Sequence, residues 1–146
     1  LSINNDVVAR AHAVAAYAQL WPDELETRAF LLTSLRFDDG QRRIMILEAL
    51  AATDRRLRDV HGALPARRVA LYSPEVCDEI ESRLKIEKAN NDNLAKSEAW
   101  NVDFFELMES NADIETLSAS IAEARRAHAA APSSSVSPNP PGKPPP

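Results

Sequence analysis

An all-α fold follows from three features of the sequence. Ile46, Leu50, Thr53, Leu57, Val60 and Leu64 recur at i, i+4, i+7, i+11, i+14 and i+18, the longest helical hydrophobic period in the chain. Alanine is abundant while aromatic residues make up only 5% of the chain, a bias that suits closely packed helices. Proline and short polar residues punctuate the sequence where helices start and stop, and no second strand-like run matches the short one at 67–72. The prediction is a single helical domain over residues 1–130, with five to six helices around a central helix at about 41–62, and a disordered Pro/Ser-rich tail at 131–146. The roughly 130 residues left outside the tail are enough for one domain with a real core.

The first helix is expected from Asn4 or Asn5, which can cap it, to Leu20, with Val7, Ala11, Val14 and Ala18 as a small-residue stripe. Trp21-Pro22 stops it, and Pro22 opens a second helix to about Leu35, with Leu25, Ala29, Leu32 and Leu35 inward. Asp38-Asp39-Gly40 turns into the central helix. There a second apolar row, Ile44, Leu47 and Ala51, predicts that 44–52 is buried by several partners. Gly62 and Pro65 end it, and residues 67–72 read as an extended connector.

Ser73-Pro74-Glu75 is a helix start: a serine cap, proline at the first helical position and an acid against the helix dipole. Val76, Cys77, Ile80 and Leu84 make its stripe, and Asn90-Asn91-Asp92-Asn93 predicts a break. A further helix is expected over about 98–108, with Trp100, Phe104, Leu107 and Met108 on one face. A last one, capped by Asn111 or Asp113, carries Ile114, Leu117, Ile121 and Ala124 to about His128. Beyond Pro132 the composition is Ser and Pro, which builds no core and favours polyproline II.

The net charge of −5 argues against a general binder of nucleic acid or anionic membranes. It hides a split, because residues 36–68 hold eight arginines against five acids, and residues 75–115 hold twelve acids against four basic residues. Cys77 is the only cysteine, which excludes an intrachain disulfide and a CxxC site. No run of eighteen apolar residues and no basic-then-apolar leader occur, so neither a membrane span nor a signal peptide is predicted.

Motifs that would name a chemistry are scarce. His12, His61 and His128 have no metal-ligand spacing. The only glycines are Gly40, Gly62 and Gly142, which rules out a glycine-rich phosphate loop. Cys77 reads as a small buried hydrophobe, and Glu75, Asp78, Glu79 and Glu81 as a solvated helix face. No catalytic, cofactor or metal residues are predicted, and no enzyme.

Two binding surfaces are predicted. Trp100, Phe104, Phe105 and Met108, set among acids, suit docking into a groove of another protein. Arg42, Arg43, Arg55, Arg56, Arg58, Arg67 and Arg68 could form a strip for phosphates, although pairing with the acidic helices explains them as well. The tail adds a PxxP motif, Pro141 to Pro144.

Val69 to Val76, set between helices, resembles the linker of some bacterial helical domains carried after a membrane anchor. The succession of helix, short extended segment, helix and Ser/Pro tail resembles coat proteins of rod-shaped RNA viruses, a likeness that implies arginine contacts to RNA. Neither assigns the chain to a family. The expected function is a non-enzymatic helical module for protein–protein interaction or assembly, with a protein partner or a second copy. The alternative is a coat-like subunit of a filament or capsid that contacts nucleic acid through the arginines and its neighbours through the tail.

Overall fold

The computed structural model describes residues 9, 13, 25–36, 40–97 and 103–130. Over these the protein is an all-helical single domain. Its helices are α1 (Leu25–Arg36), α2 (Gly40–His61), α3 (Ala66–Leu71), α4 (Pro74–Lys96) and α5 (Phe104–Ala130). Ala9 and Ala13 are helical. The rest of the helix expected at 4–20, its stop at Trp21-Pro22, the turn at Asp38-Asp39, Trp100 and the tail lie outside the described residues.

The central stripe of α2 is confirmed in most of its length. Ile46, Leu50, Leu57 and, past the helix, Leu64 are buried together with Leu47 and Ala51. Val60 is a correction, being 70% exposed. The helix ends just after it, at His61, and Gly62 follows with a φ of +80°, the left-handed C-terminal geometry that glycine takes without strain, its N–H donating to Arg58 O at 2.7 Å. That turn carries Leu64 into the core in place of Val60. The first half of α2 is also less enclosed than its sequence suggests, since Ile44 is 41% exposed and Glu48 and Ala52 are exposed.

Residues 67–72 are not an extended connector. Pro65 accepts from the N–H groups of Arg68 (2.9 Å) and Val69 (3.0 Å), which opens the short helix α3. Helical spacing lets Arg68 and Leu71, three residues apart, turn inward together, where an alternating strand would have put them on opposite faces. Ser73 then caps α4 by accepting from the Val76 N–H, with Pro74 at the first position, as the sequence predicts.

Two expected breaks are absent, and one contact accounts for both. The α4 helix runs through Asn90-Asn91-Asp92-Asn93, and α5 runs unbroken through Asn111 and Asp113. Asn91 is buried, and its Nδ2 donates to Ser110 Oγ (2.8 Å) and Asn111 Oδ1 (3.0 Å) of α5. Residues that look like caps and breakers are used as glue between helices. The cap of α5 lies earlier, at Asp103, whose Oδ1 accepts from the N–H groups of Phe105 (3.0 Å) and Glu106 (3.2 Å).

Helix α5 packs along α4 and α2, α1 packs on α4 and α2, and α3 packs on α5. Directions follow from the pairs. Asn91 of α4 meets residues 110 and 111 of α5, while Asp78 and Glu81 meet Arg125, so α4 and α5 are antiparallel. Arg55 meets Asp113 and Arg58 meets Glu123, so α2 runs parallel to α5. The core between them holds Leu31 and Leu35, the α2 stripe, Leu71, Tyr72, Val76, Cys77, Ile80, Leu84, Leu117, Ile121 and Ala124. No helix among the described residues is long and apolar enough to cross a membrane.

Candidate functional site

Two features of the structure are open to a partner, and a third is closed. The closed one is a polar cluster inside the core. Asp54 of α2 is fully buried, and its Oδ1 accepts from Arg68 Nε at 2.7 Å. Its Oδ2 accepts from Tyr72 Oη at 2.5 Å and from Ser120 Oγ at 2.6 Å. Arg68 Nη2 donates to Leu50 O (3.3 Å), and the guanidinium lies 5.6 Å from the centre of the Tyr72 ring, while its buried Nη1 finds no partner among the described residues. Burial first, then the Asp54 charge, pushes the Tyr72 phenol well above its ordinary range. Cys77 beside it is buried, donates Sγ–H to Tyr72 O at 3.4 Å, and has its thiol raised by burial. This cluster fastens α2, α3 and α5 to one another and offers no surface. Sequence reasoning missed it; the signal was Asp54 on the apolar side of α2, four residues from Leu50 and three from Leu57.

The first open feature is a groove of about 630 Å³ among the first half of α2, the second half of α4 and the first half of α5. Leu47, Leu84, Leu107 and Ile114 form its apolar lining, with the exposed Ile44 and Leu94 at its edges. Among the described lining residues six carboxylates join them, from Glu48, Glu87, Asp103, Glu106, Glu109 and Asp113, and no Lys, Arg or His does. Glu87 pairs with Arg43 at 3.4 Å and Asp113 with Arg55 at 2.8 Å from outside the lining. The groove was also missed, because the sequence shows neither that α4 runs past Asn93 nor that α5 begins at Phe104.

The second open feature is the outer side of the same end of α5. Phe104, Phe105 and Met108 are 63%, 81% and 66% exposed. Leu107, expected on one face with Phe104 and Met108, is half-buried in the groove lining, while those two are exposed and outside it. The structure thus keeps Phe104, Phe105 and Met108 together as a surface ridge; Trp100 lies outside the described residues.

The predicted arginine strip is spread out by the fold. Arg68 is buried on Asp54, Arg43 is nearly buried beside Glu87, Arg55 reaches Asp113 and Thr116, and Arg58 reaches Ser120 (3.1 Å) and Glu123 (3.4 Å). Arg56 and Arg67 are exposed, and the Arg42 side chain lies outside the described residues. His61 is exposed, and His128 Nε2 is 2.9 Å from Tyr72 O. Among the described residues no group of three or more His, Cys, Asp or Glu is placed to hold a metal ion. The chain matches no family model, no curated protein and no solved structure.

Proposed function

We propose that this protein is a non-enzymatic interaction module that binds another protein through the N-terminal end of α5. The observation that carries the reading is the ridge of Phe104, Phe105 and Met108, three large apolar side chains held on one helix face with most of their surface in water. Side chains of this type are enriched at the cores of interfaces, and a contiguous apolar patch on a helix is costly to leave uncovered. Asp103 caps the helix under the ridge and so fixes its geometry before any partner arrives. The arginines give less support to a coat-like role, because Arg43, Arg55, Arg58 and Arg68 are each within ion-pair distance of a carboxylate of the same chain.

A photo-activated phenylalanine analogue at position 105, with the same group at the exposed Ala119 as control, tests this in cells. Discrete protein adducts from position 105 and none from 119 are expected. An adduct of twice the chain mass would identify a second copy as the partner. Adducts to nucleic acid, or equal labelling from both positions, would overturn the proposal.

A further inference from the structure

The groove is a separate surface from the ridge, on the opposite side of α5, and it has its own chemistry. It runs between Leu84 and Leu94 on α4 and between Asp103 and Ile114 on the antiparallel α5. At 1.5 Å per residue that is roughly 15 Å, or about three helical turns. Over that length Leu47, Leu84, Leu107 and Ile114 supply an apolar floor between the carboxylates, a layout that suits the side chains of one helix face.

Its charge selects among helices. Asp103, Glu106 and Glu109 make no ion pair with any described residue, and the described lining residues include no Lys, Arg or His to balance them. A second copy of the chain, at net charge −5 and with the same acids, would bring like charge to like. Segments of this chain are no better suited. Residues 1–24 contain Arg10 as their only Lys or Arg, residues 131–146 contain only Lys143, and 37–39 and 98–102 contain none. We infer that the groove seats a basic amphipathic helix of another protein, with apolar side chains at i, i+3/i+4 and i+7 entering between Leu94, Leu107 and Ile44, and Lys or Arg flanking them over Asp103, Glu106 and Glu109. This is helix-in-groove recognition, with the stripe giving affinity and the carboxylates giving orientation and on-rate.

The probe is a fluorescein-labelled 14-residue peptide with Leu at helical spacing and Lys or Arg elsewhere, titrated by anisotropy against the full chain. A scrambled peptide of equal composition and an isomer with Glu in place of Lys and Arg are controls. Binding of the striped basic peptide alone is expected, weakened about tenfold by Ile44→Ser with Leu94→Ser, two positions already partly in water. Glu106→Gln with Glu109→Gln should weaken it and make its salt dependence shallower. A cysteine at position 94, against the buried Cys77, should react quickly with a thiol reagent and be protected by the peptide. Equal binding of the scrambled peptide, or groove variants without effect, would overturn the inference. So would slow labelling of Leu94→Cys in the free protein, which would show that the chain itself or a second copy covers the groove.

Discussion

Asp54 is the residue on which the interior depends most. A carboxylate with no solvent exposure survives because three donors surround it, and one of those donors is itself an ion. Asp54→Ala should cost about 3–5 kcal/mol in a denaturant melt, since it leaves the Arg68 guanidinium buried without a counter-charge. The same cluster gives stability a pH limit on the alkaline side. An unfolded chain releases the Tyr72 proton near pH 10, whereas the folded chain holds it to a higher pH because burial and Asp54 oppose the phenolate. The folded state then binds more protons than the unfolded one, so this contribution is complete below about pH 10 and is lost as pH rises through the folded value. Melts of wild type and Tyr72→Phe from pH 8 to 11 should show the slope in the first and a flatter profile in the second.

At the scale of elements, what could be read in the chain was what local chemistry decides. Ser73-Pro74-Glu75 starts α4 as its residue types require, and Leu50, Leu57, Ile80, Leu84, Leu117 and Ile121 are buried where the helical period puts them. The misread break at 90–93 and the misread connector at 67–72 share one cause, which is that a polar residue's partner lies in another helix. Asn91 looks like a breaker until Ser110 and Asn111 supply its hydrogen bonds, and Arg68 looks like a solvated connector until Asp54 does. Neither partner can be found from spacing along the chain. The groove inherits both difficulties, because its walls exist only if α4 and α5 keep their full length. Asn91→Ala should therefore cost about 1–2 kcal/mol, and hydrogen exchange should speed up selectively at the ends of α4 and α5 that flank the groove, near 92–96 and 104–110. Uniform exchange along both helices would show that Asn91 does not hold those ends.

Across the whole molecule, the split between a basic middle and an acidic second half is resolved in part inside one chain. Arg36 reaches Glu79, Arg43 Glu87, Arg55 Asp113 and Arg58 Glu123, so each basic position of α1 and α2 in that set faces an acid of α4 or α5. These pairs are mostly at the surface, and each stabilises by about 1 kcal/mol or less. Arg55→Gln with Arg58→Gln should lower the melting midpoint slightly, with the difference shrinking in high salt. A gel-shift with RNA or DNA at about 150 mM salt, where charges beyond about 8 Å are screened, should be blank for wild type and variant alike. A shift with wild type that the double substitution abolishes would mean that the arginines serve phosphates instead.

The spacing of the groups around Asp54 also orders events in time. Arg68 and Tyr72 reach it from only 14 and 18 residues away, whereas Ser120 comes from 66. Closing a short loop costs less chain entropy than closing a long one, so the α2–α3 side of the cluster can form before α5 docks. The bond from Ser120 then belongs to the late part of folding. In stopped-flow experiments Ser120→Ala should accelerate unfolding and leave the refolding rate almost unchanged, whereas Arg68→Met should slow refolding. The last helix to arrive would then be the one that carries the ridge and borders the groove, and a chain leaving the ribosome would hold neither until its core was nearly complete.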